Sequence, residues 1–234
     1  RGARKSALHE SFDAAGAVFG ETAGWERPNW FADHGQAREY EYSYGKQNWH
    51  SNMQAECEAV RNGVGLFDQS SFAKFLVKGP EALAVLEQLS ANLIDVDPGI
   101  GVYTQWLNER GGIEADLTVT RLTRDEFWVI TSAASQTRDW AWLRRACRSR
   151  SVEIFDITED LSVLGVMGPR SRELLQMASH LDLSNESCSF GSLSAIDIAG
   201  VSCNALRMSY VGELGWELYI PANQSVAVYE EIVA

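Results

Sequence analysis

The sequence lacks long apolar runs, cysteine pairs and clustered histidines, and each absence excludes a class of protein. No stretch of the 234 residues approaches the roughly 20 consecutive apolar residues that a membrane helix needs. The four cysteines (Cys57, Cys147, Cys188 and Cys203) form no C-x-x-C pair, so we expect free, mostly buried thiols of a reducing compartment. The four histidines are scattered without metal-ligand spacing, so we expect no structural metal.

The common catalytic signatures are also missing. No G-x-G-x-x-G follows a strand and opens a helix, which excludes a dinucleotide site of that type. No P-loop and no G-x-S-x-G string is present, and no cysteine has a nearby histidine partner. Positive charge is scarce as well, with 20 Lys and Arg against 32 Asp and Glu, a net charge of −12. This balance disfavours nucleic acid and anionic membranes as partners, although a few arginines could still receive a small anionic ligand.

Residues 1–50 differ in texture from the rest of the chain. They are rich in glycine, tryptophan, tyrosine and charge but have few periodic apolar runs, which predicts an ordered connecting segment packed on a surface. Residues 1–6 are basic, yet no apolar stretch follows them, so we expect no signal peptide. Because the sequence does not begin with methionine, we expect a fragment or a processed chain.

From residue 50 onward the apolar pattern becomes regular. It predicts helices over 53–62, 81–89 and 135–149, one through 174–175, and one from 224. It predicts strands over 72–77, 102–108, 117–122, 127–131, 161–166, 193–198, 203–210 and 216–220. Because strands mostly follow one another through short turns, we predict an α+β fold with mixed or antiparallel sheets rather than a doubly wound parallel sheet.

One device occurs twice along the chain. Residues 77–80 and 166–169 both end a strand in Gly-Pro and lead into a helix, about ninety residues apart. Proline suits the first helical position because its missing N–H has no partner there in any case. The repeat predicts a duplicated α+β unit. Two independent uses of a common turn are the alternative.

Two glycine-containing strings carry the candidate chemistry, and the first spans residues 103–116. Its paired glycines allow a tight turn and a close approach of a ligand to the backbone. Asp116 follows at the start of the next predicted strand, where Ile113 and Leu117 would partly desolvate its carboxylate and suit it to acid or base work. Spacing alone favours the alternative, a solvated hairpin carboxylate.

The second string spans residues 209–219 and again combines glycines with carboxylates. Strand alternation places Glu217 on the same face as Tyr219, whereas Trp216 and Leu218 share the other face. A carboxylate there could accept two hydrogen bonds from a guanidine-like edge, such as the N–H pair of a pterin. An outward-facing strand glutamate is the alternative.

These two strings, together with residues 64–68 and 166–169, resemble the glycine-cleavage T-protein (aminomethyltransferase) family over about residues 50–234. The order and spacing of four motifs make the resemblance specific. Residues 1–50 resemble the stretch that joins the flavin part to the folate part in dimethylglycine and sarcosine dehydrogenases. The resemblance implies a connecting segment over 1–50 and an aminomethyltransferase-like folate-binding domain over 51–234. The family's chain continues to a later arginine that helps hold the folate, so we expect 51–234 to be C-terminally incomplete.

The resemblance also implies roles for individual residues. Asp116 matches the family's key aspartate, which lies near N5 of the folate and assists proton transfer. Glu217 matches the glutamate that holds the pterin ring, and Tyr210 matches a tyrosine at the folate site. Tyr103 is similar to an aromatic residue that lines the pocket. Relatives often have a second acidic residue before the key aspartate, where this sequence has Ala115.

The implied activity is tetrahydrofolate-dependent one-carbon transfer. An iminium or aminomethyl carbon would be captured as 5,10-methylenetetrahydrofolate, within an N-methyl amine dehydrogenase of the dimethylglycine or sarcosine type. FAD would be held only by a separate N-terminal flavin domain, and the location would be bacterial cytoplasm or mitochondrial matrix. A stand-alone glycine-cleavage aminomethyltransferase, a folate-dependent demethylase and a non-catalytic folate-fold scaffold are the alternatives.

Overall fold

The computed structural model describes residues 2–234, so that only the first residue of the basic start lies outside it. Within this range the six α-helices are α1 (His9–Ala14), α2 (His50–Asn62), α3 (Ala82–Leu89), α4 (Gln136–Ala146), α5 (Ser171–Ala178) and α6 (Ser225–Val233). The twelve strands are β1 (Ala17–Thr22), β2 (Trp25–Phe31), β3 (Gly65–Asp68), β4 (Ala73–Lys78), β5 (Ile100–Leu107), β6 (Ile113–Arg121), β7 (Glu126–Thr131), β8 (Glu153–Asp156), β9 (Leu161–Met167), β10 (Leu193–Ile198), β11 (Val201–Leu206) and β12 (Gly215–Pro221). Within residues 2–234, no helix has the length and apolar character needed to cross a bilayer.

The strands form two five-stranded sheets and one N-terminal hairpin. The first sheet has the order β5-β6-β7-β4-β8, the second has the order β10-β11-β12-β9-β3, and β1 pairs with β2. Every pairing between these strands is antiparallel. The predicted α+β class with antiparallel sheets is therefore confirmed.

The two five-stranded sheets have the same topology. In each, a strand followed by Gly-Pro and a helix (β4 with α3, β9 with α5) lies beside the last of three strands that come next along the chain. The fifth strand of each sheet is exchanged: β3 precedes β4 but pairs with β9, and β8 precedes β9 but pairs with β4. The exchange ties the two units together, and the shared strand order confirms the predicted duplication.

A glycine at the end of the first strand of each unit is required by the backbone. Gly79 and Gly168 have φ of 134° and 135°, a region that residues with a side chain rarely adopt. A Cβ at Gly79 would overlap the carbonyl oxygen of Ser151, and one at Gly168 would overlap the carbonyl oxygen of Gly63. Each glycine thus lets its own unit approach the segment that leads into the exchanged strand.

Helices cover the outer face of each sheet. α3 buries Ala82, Val85, Leu86 and Leu89, the spacing of one helical face, in a cluster with Phe75 and other residues of the first sheet. In the second unit, Leu175 of α5 and Val228 of α6 pack in the cluster that contains Trp216 and Leu218. The inner faces meet in a third cluster formed by Trp128, Ile130, Val163, Leu206, Met208 and Tyr219.

The side chain that α2 buries is polar and not apolar. Met53 and Cys57 are exposed, and the residue that α2 buries is Asn52. The amide of Asn52 takes this position because it donates to the carbonyl oxygen of Phe31 (2.9 Å) and hydrogen-bonds with Gln36. All four cysteines are free as expected, but only Cys188 and Cys203 are buried.

The bounds of two strands also differ from the prediction, with consequences for candidate site residues. β6 begins at Ile113, so Asp116 lies inside a strand and not at its start. β11 ends at Leu206, the last residue that pairs with β12, so Tyr210 lies in the loop 207–214 and not in a strand.

We predict that Gly168→Ala destabilises the protein by about 2–4 kcal/mol, because the added methyl group meets backbone that cannot turn aside. Gly35→Ala is the matched control, since Gly35 also has positive φ (84°) but nothing within 4 Å of the added atom. Thermal or denaturant unfolding measures both variants. Equal losses of stability would mean that the turn conformation alone, without the close approach, explains the glycine.

Candidate functional site

A cavity of about 650 Å³ opens between the inner faces of the two sheets, and all four predicted site residues line it. The walls combine residues of the first sheet, the second sheet and the loops that end their strands. The lining residues are Gln69, Phe72, Tyr103, Asp116, Leu117, Thr118, Ile130, Thr131, Ser132, Ala134, Ser135, Arg138, Val163, Tyr210, Glu217 and Tyr219.

Glu217 lies at the buried end of this cavity. Its side chain is on β12 next to Tyr219, whose hydroxyl donates a 2.7 Å hydrogen bond to Glu217 Oε2, and the residue is only 6% exposed. Trp216 and Leu218 point into the core on the other face of the sheet, which confirms the predicted alternation and excludes an outward-facing glutamate. Burial raises the pKa of the Glu217 carboxyl above its ordinary value. Burial and the nearby Glu217 raise the pKa of the Tyr219 phenol well above its ordinary range, so it stays a donor.

Gln69 is a cavity residue that the sequence reasoning missed. It follows β3 directly, and its backbone N–H donates to the carbonyl oxygen of Val163 (2.8 Å). Its side chain lies over Gly165, which is paired with Glu217 across β9 and β12: a Cβ on Gly165 would be 3.0 Å from Gln69 Oε1. That oxygen is buried and has no hydrogen-bond partner within residues 2–234. The only sequence signal was a polar residue directly after the string 64–68.

Asp116 stands at the open side of the cavity. Gln105 Nε2 donates a 3.1 Å hydrogen bond to Asp116 Oδ1, and a hydrogen bond to the same carboxylate raises the pKa of the Tyr103 phenol. The expected desolvation by neighbouring apolar residues is wrong, since Asp116 and Ile113 are exposed and Leu117 packs into the core of the first unit. The reason is strand alternation, which sends Asp116 and Leu117 to opposite faces of the sheet.

Tyr210 joins the two halves of the site. It lies in the loop after β11, and its hydroxyl is 3.1 Å from Thr118 Oγ1 on β6 of the first sheet. The hydroxyl of Thr118 also contacts the sulfur of Met208 (3.8 Å). The loop 207–214 is thereby held across the cavity, close to the face that carries Asp116.

Arg138 is the second cavity residue that the sequence reasoning missed. It lies in the first turn of α4, and its Nε donates a 2.8 Å hydrogen bond to Asp139 Oδ1. Asp139 is 1% exposed and accepts a second bond, of 2.6 Å, from the Thr131 hydroxyl. The guanidinium is thus held from one edge by a buried, anchored carboxylate.

The volume and lining of the cavity suit a small organic ligand. Its buried end offers hydrogen-bond acceptors from Glu217 and Gln69, and its walls present Phe72, Ile130 and Val163. Among residues 2–234, no group of three or more His, Cys, Asp or Glu is placed to hold a metal ion. A flat heterocycle with adjacent N–H donors fits the buried end, and a carboxylate at the open side could exchange a proton with it.

Comparison with known proteins gives consistent results. Residues 8–234 match the family described as GCVT N-terminal domain. A 4-methylaminobutanoate oxidase (formaldehyde-forming) of Paenarthrobacter nicotinovorans is 44% identical over 99% of this chain and 28% of its own length. Mitochondrial dimethylglycine dehydrogenase of Rattus norvegicus is 37% identical over 98% of this chain and 27% of its own length. The chain therefore spans less than a third of the length of each of these two relatives.

One solved structure is similar across nearly the whole chain. The glycine cleavage system aminomethyltransferase T from Bartonella henselae matches 99% of this chain and 57% of its own, with a TM-score of 0.81 and 25% identity. The fold agrees with the resemblance drawn from the motifs, whereas the matched range, 8–234, begins well before the 50–234 of that resemblance. This chain belongs to the GCVT N-terminal domain family and has the fold of the glycine cleavage aminomethyltransferase T.

Proposed function

We propose that this chain is the tetrahydrofolate-binding, one-carbon-transfer part of an enzyme that oxidises an N-methyl amine. The observation that carries the proposal is the placement of a buried carboxylate, Glu217, and an exposed one, Asp116, on the walls of one cavity between the two sheets. One carboxylate is suited to hold a ligand and the other to exchange protons with it.

The residues at the buried end fit the pterin ring of a folate. A pterin presents adjacent N–H groups, which a carboxylate accepts in pairs. Tyr219 occupies one oxygen of Glu217, and the buried Gln69 Oε1 still needs a donor. The apolar side chains of Phe72, Ile130 and Val163 offer surfaces for a flat ring. The volume of about 650 Å³ lies within the range of small-molecule sites, roughly 300–1,000 Å³.

Within such a complex, Glu217 would bind and orient the ring, and Asp116 would hold or take up a proton. Gln105 and Tyr103 keep the Asp116 carboxylate in place from one side while leaving it open to the cavity. Tyr210 would close the site from the second sheet through its bond to Thr118. When bound, tetrahydrofolate supplies a nucleophilic nitrogen pair that takes up one carbon at the methylene level.

The similarity to amine oxidases supports a specific source for that carbon. Oxidation of an N-methyl amine gives an iminium, whose carbon either adds water and leaves as formaldehyde or is captured as 5,10-methylenetetrahydrofolate. One relative is named formaldehyde-forming, and another is named dimethylglycine dehydrogenase. FAD would be held by a flavin domain outside these residues, and that domain would select the amine. The mitochondrial relative and a bacterial one are consistent with a mitochondrial matrix or bacterial cytoplasmic location.

The alternatives differ in where the carbon comes from and in whether chemistry occurs. A stand-alone aminomethyltransferase or a folate-dependent demethylase would use the same cavity. The identity of nearly the whole chain to a 4-methylaminobutanoate oxidase (44%) and to dimethylglycine dehydrogenase (37%) favours the flavin-linked role. A non-catalytic scaffold has no need for an exposed, hydrogen-bonded Asp116 beside a buried Glu217. The division into a connecting segment over 1–50 and a folate domain over 51–234 is part of the same proposal.

We predict that Asp116→Asn, made in the full-length protein that includes this chain, slows formation of methylenetetrahydrofolate by about 10²–10⁴-fold, the usual contribution of a general acid or base. Flavin reduction by the amine should keep its rate, since Asp116 lies in the folate cavity. Stopped-flow reduction and a folate product assay measure the two steps, with Asp125→Asn, in an exposed turn, as control. Equal loss of both steps would refute the role of Asp116.

We also predict that Glu217→Gln raises stability at neutral pH. Because burial raises the pKa of Glu217 above its ordinary 4.5, the folded protein holds this proton more tightly than the unfolded chain does. The charged form therefore lowers stability increasingly as the pH rises through that range. At pH 7 the variant should gain about 2–4 °C in Tm, the shift that roughly 1 kcal/mol gives a chain of this size.

Well below pH 4.5 the gain should vanish, because wild-type Glu217 is then protonated too. Melting curves of both proteins across this range measure the effect. A pH-independent difference between them would show that Glu217 is not a destabilising buried charge.

A further inference from the structure

The cationic side chain of Arg138 lies at the open side of the cavity, where hydrogen-bonded neighbours hold it in place. Within residues 2–234, Arg138 is the one Lys, Arg or His that lines the cavity, and the full sequence has a formal net charge of −12. An anionic part of any ligand therefore has a single cationic side chain to meet within the cavity wall.

Neighbouring residues hold the Arg138 guanidinium in place but use only one of its N–H groups. Its Nε donates to Asp139, which is itself fixed by the Thr131 hydroxyl. Hydrogen bonds within residues 2–234 engage Nε and neither terminal nitrogen of Arg138. The side chain is 58% exposed, with Ser132 and Ser135 beside it on the cavity wall. Two parallel N–H donors at the edge of a cavity match a carboxylate.

Exposure orders the polar residues of the cavity from the inside outward. Glu217 is 6% exposed, Asp116 is exposed on β6, and the side chain of Arg138 is 58% exposed. A folate has the same order of chemistry, with an N–H-rich ring at one end and a glutamate carboxylate at the other. Asp116 would repel that carboxylate and Arg138 would attract it, so the two ends are distinguished by charge.

We propose that Arg138 binds a carboxylate of the glutamate tail of the folate and that Asp139, held by Thr131, positions it. This inference rests on the proposed folate function and extends it to the end of the ligand opposite the ring. It makes Arg138 a specificity residue, which separates folates with a glutamate tail from pterins without one.

The test compares two ligands on the full chain. Calorimetric titration with tetrahydrofolate and with 6-methyltetrahydropterin, which has the ring but no tail, is carried out on wild type and Arg138→Ala. The variant should lose about tenfold or more in affinity for tetrahydrofolate, as expected for a charge-assisted pair, and keep its affinity for the tail-less pterin. Arg138→Lys should recover part of the loss, since it restores the charge but not the paired donors.

Arg144→Ala is the matched control because it removes an exposed arginine from the same helix outside the cavity. If both alanine variants weaken tetrahydrofolate binding equally, Arg138 acts only through the net charge of the protein, and the proposal is overturned. Loss of both ligands in Arg138→Ala would overturn it too, since a tail contact leaves the ring unaffected. If wild type binds the tail-less pterin and Arg138→Ala keeps full tetrahydrofolate affinity, the tail contact fails while the folate function stands. If wild type binds neither ligand, both proposals fail.

Discussion

The burial of Glu217 between two sheets is the constraint on which the rest of the site depends. A carboxylate removed from water raises its own pKa and lowers the stability of the fold unless donors satisfy it, and this chain supplies one donor, the Tyr219 hydroxyl. Gly165 on the adjacent strand leaves the space that Gln69 fills, so a second buried acceptor faces the same region without a partner. The carboxylate of Glu217 and the amide oxygen of Gln69 thus have fewer hydrogen-bond donors than they can accept. A ligand with N–H groups would satisfy both acceptors.

The duplicated fold makes that burial possible. Each unit has its own core under its helices, and the inner faces of both sheets meet in a smaller cluster around Trp128 and Tyr219. The exchanged edge strands hold the sheets in this relation, which requires Gly79 and Gly168 at the close approaches. The cavity therefore lies at the junction between the two cores that the exchanged strands hold together.

Much of the fold and part of the site could be read from the sequence. Apolar periodicity gave most strands, and the repeated Gly-Pro device gave the duplication. Strand alternation placed Glu217 on the same face as Tyr219, because residues two apart on a strand point to the same side of the sheet.

The same rule was not applied to Asp116. Of its apolar neighbours in sequence, Leu117 lies on the other face of the strand and Ile113 is exposed to solvent. Tyr210 became a loop residue because pairing with β12 ends at Leu206. Gln69 and Arg138 were not predicted as site residues. Their place in the cavity depends on packing between segments distant in sequence, which local spacing does not encode.

The most direct test of this account is equilibrium titration of the protein with tetrahydrofolate, wild type against Glu217→Ala. Removal of a charged acceptor from a buried ring site should weaken binding by roughly 10- to 100-fold, provided that both proteins show the same folded spectrum. Saturable binding by wild type and this loss in the variant would support a folate cavity organised around Glu217. Equal affinity in the two proteins would contradict it.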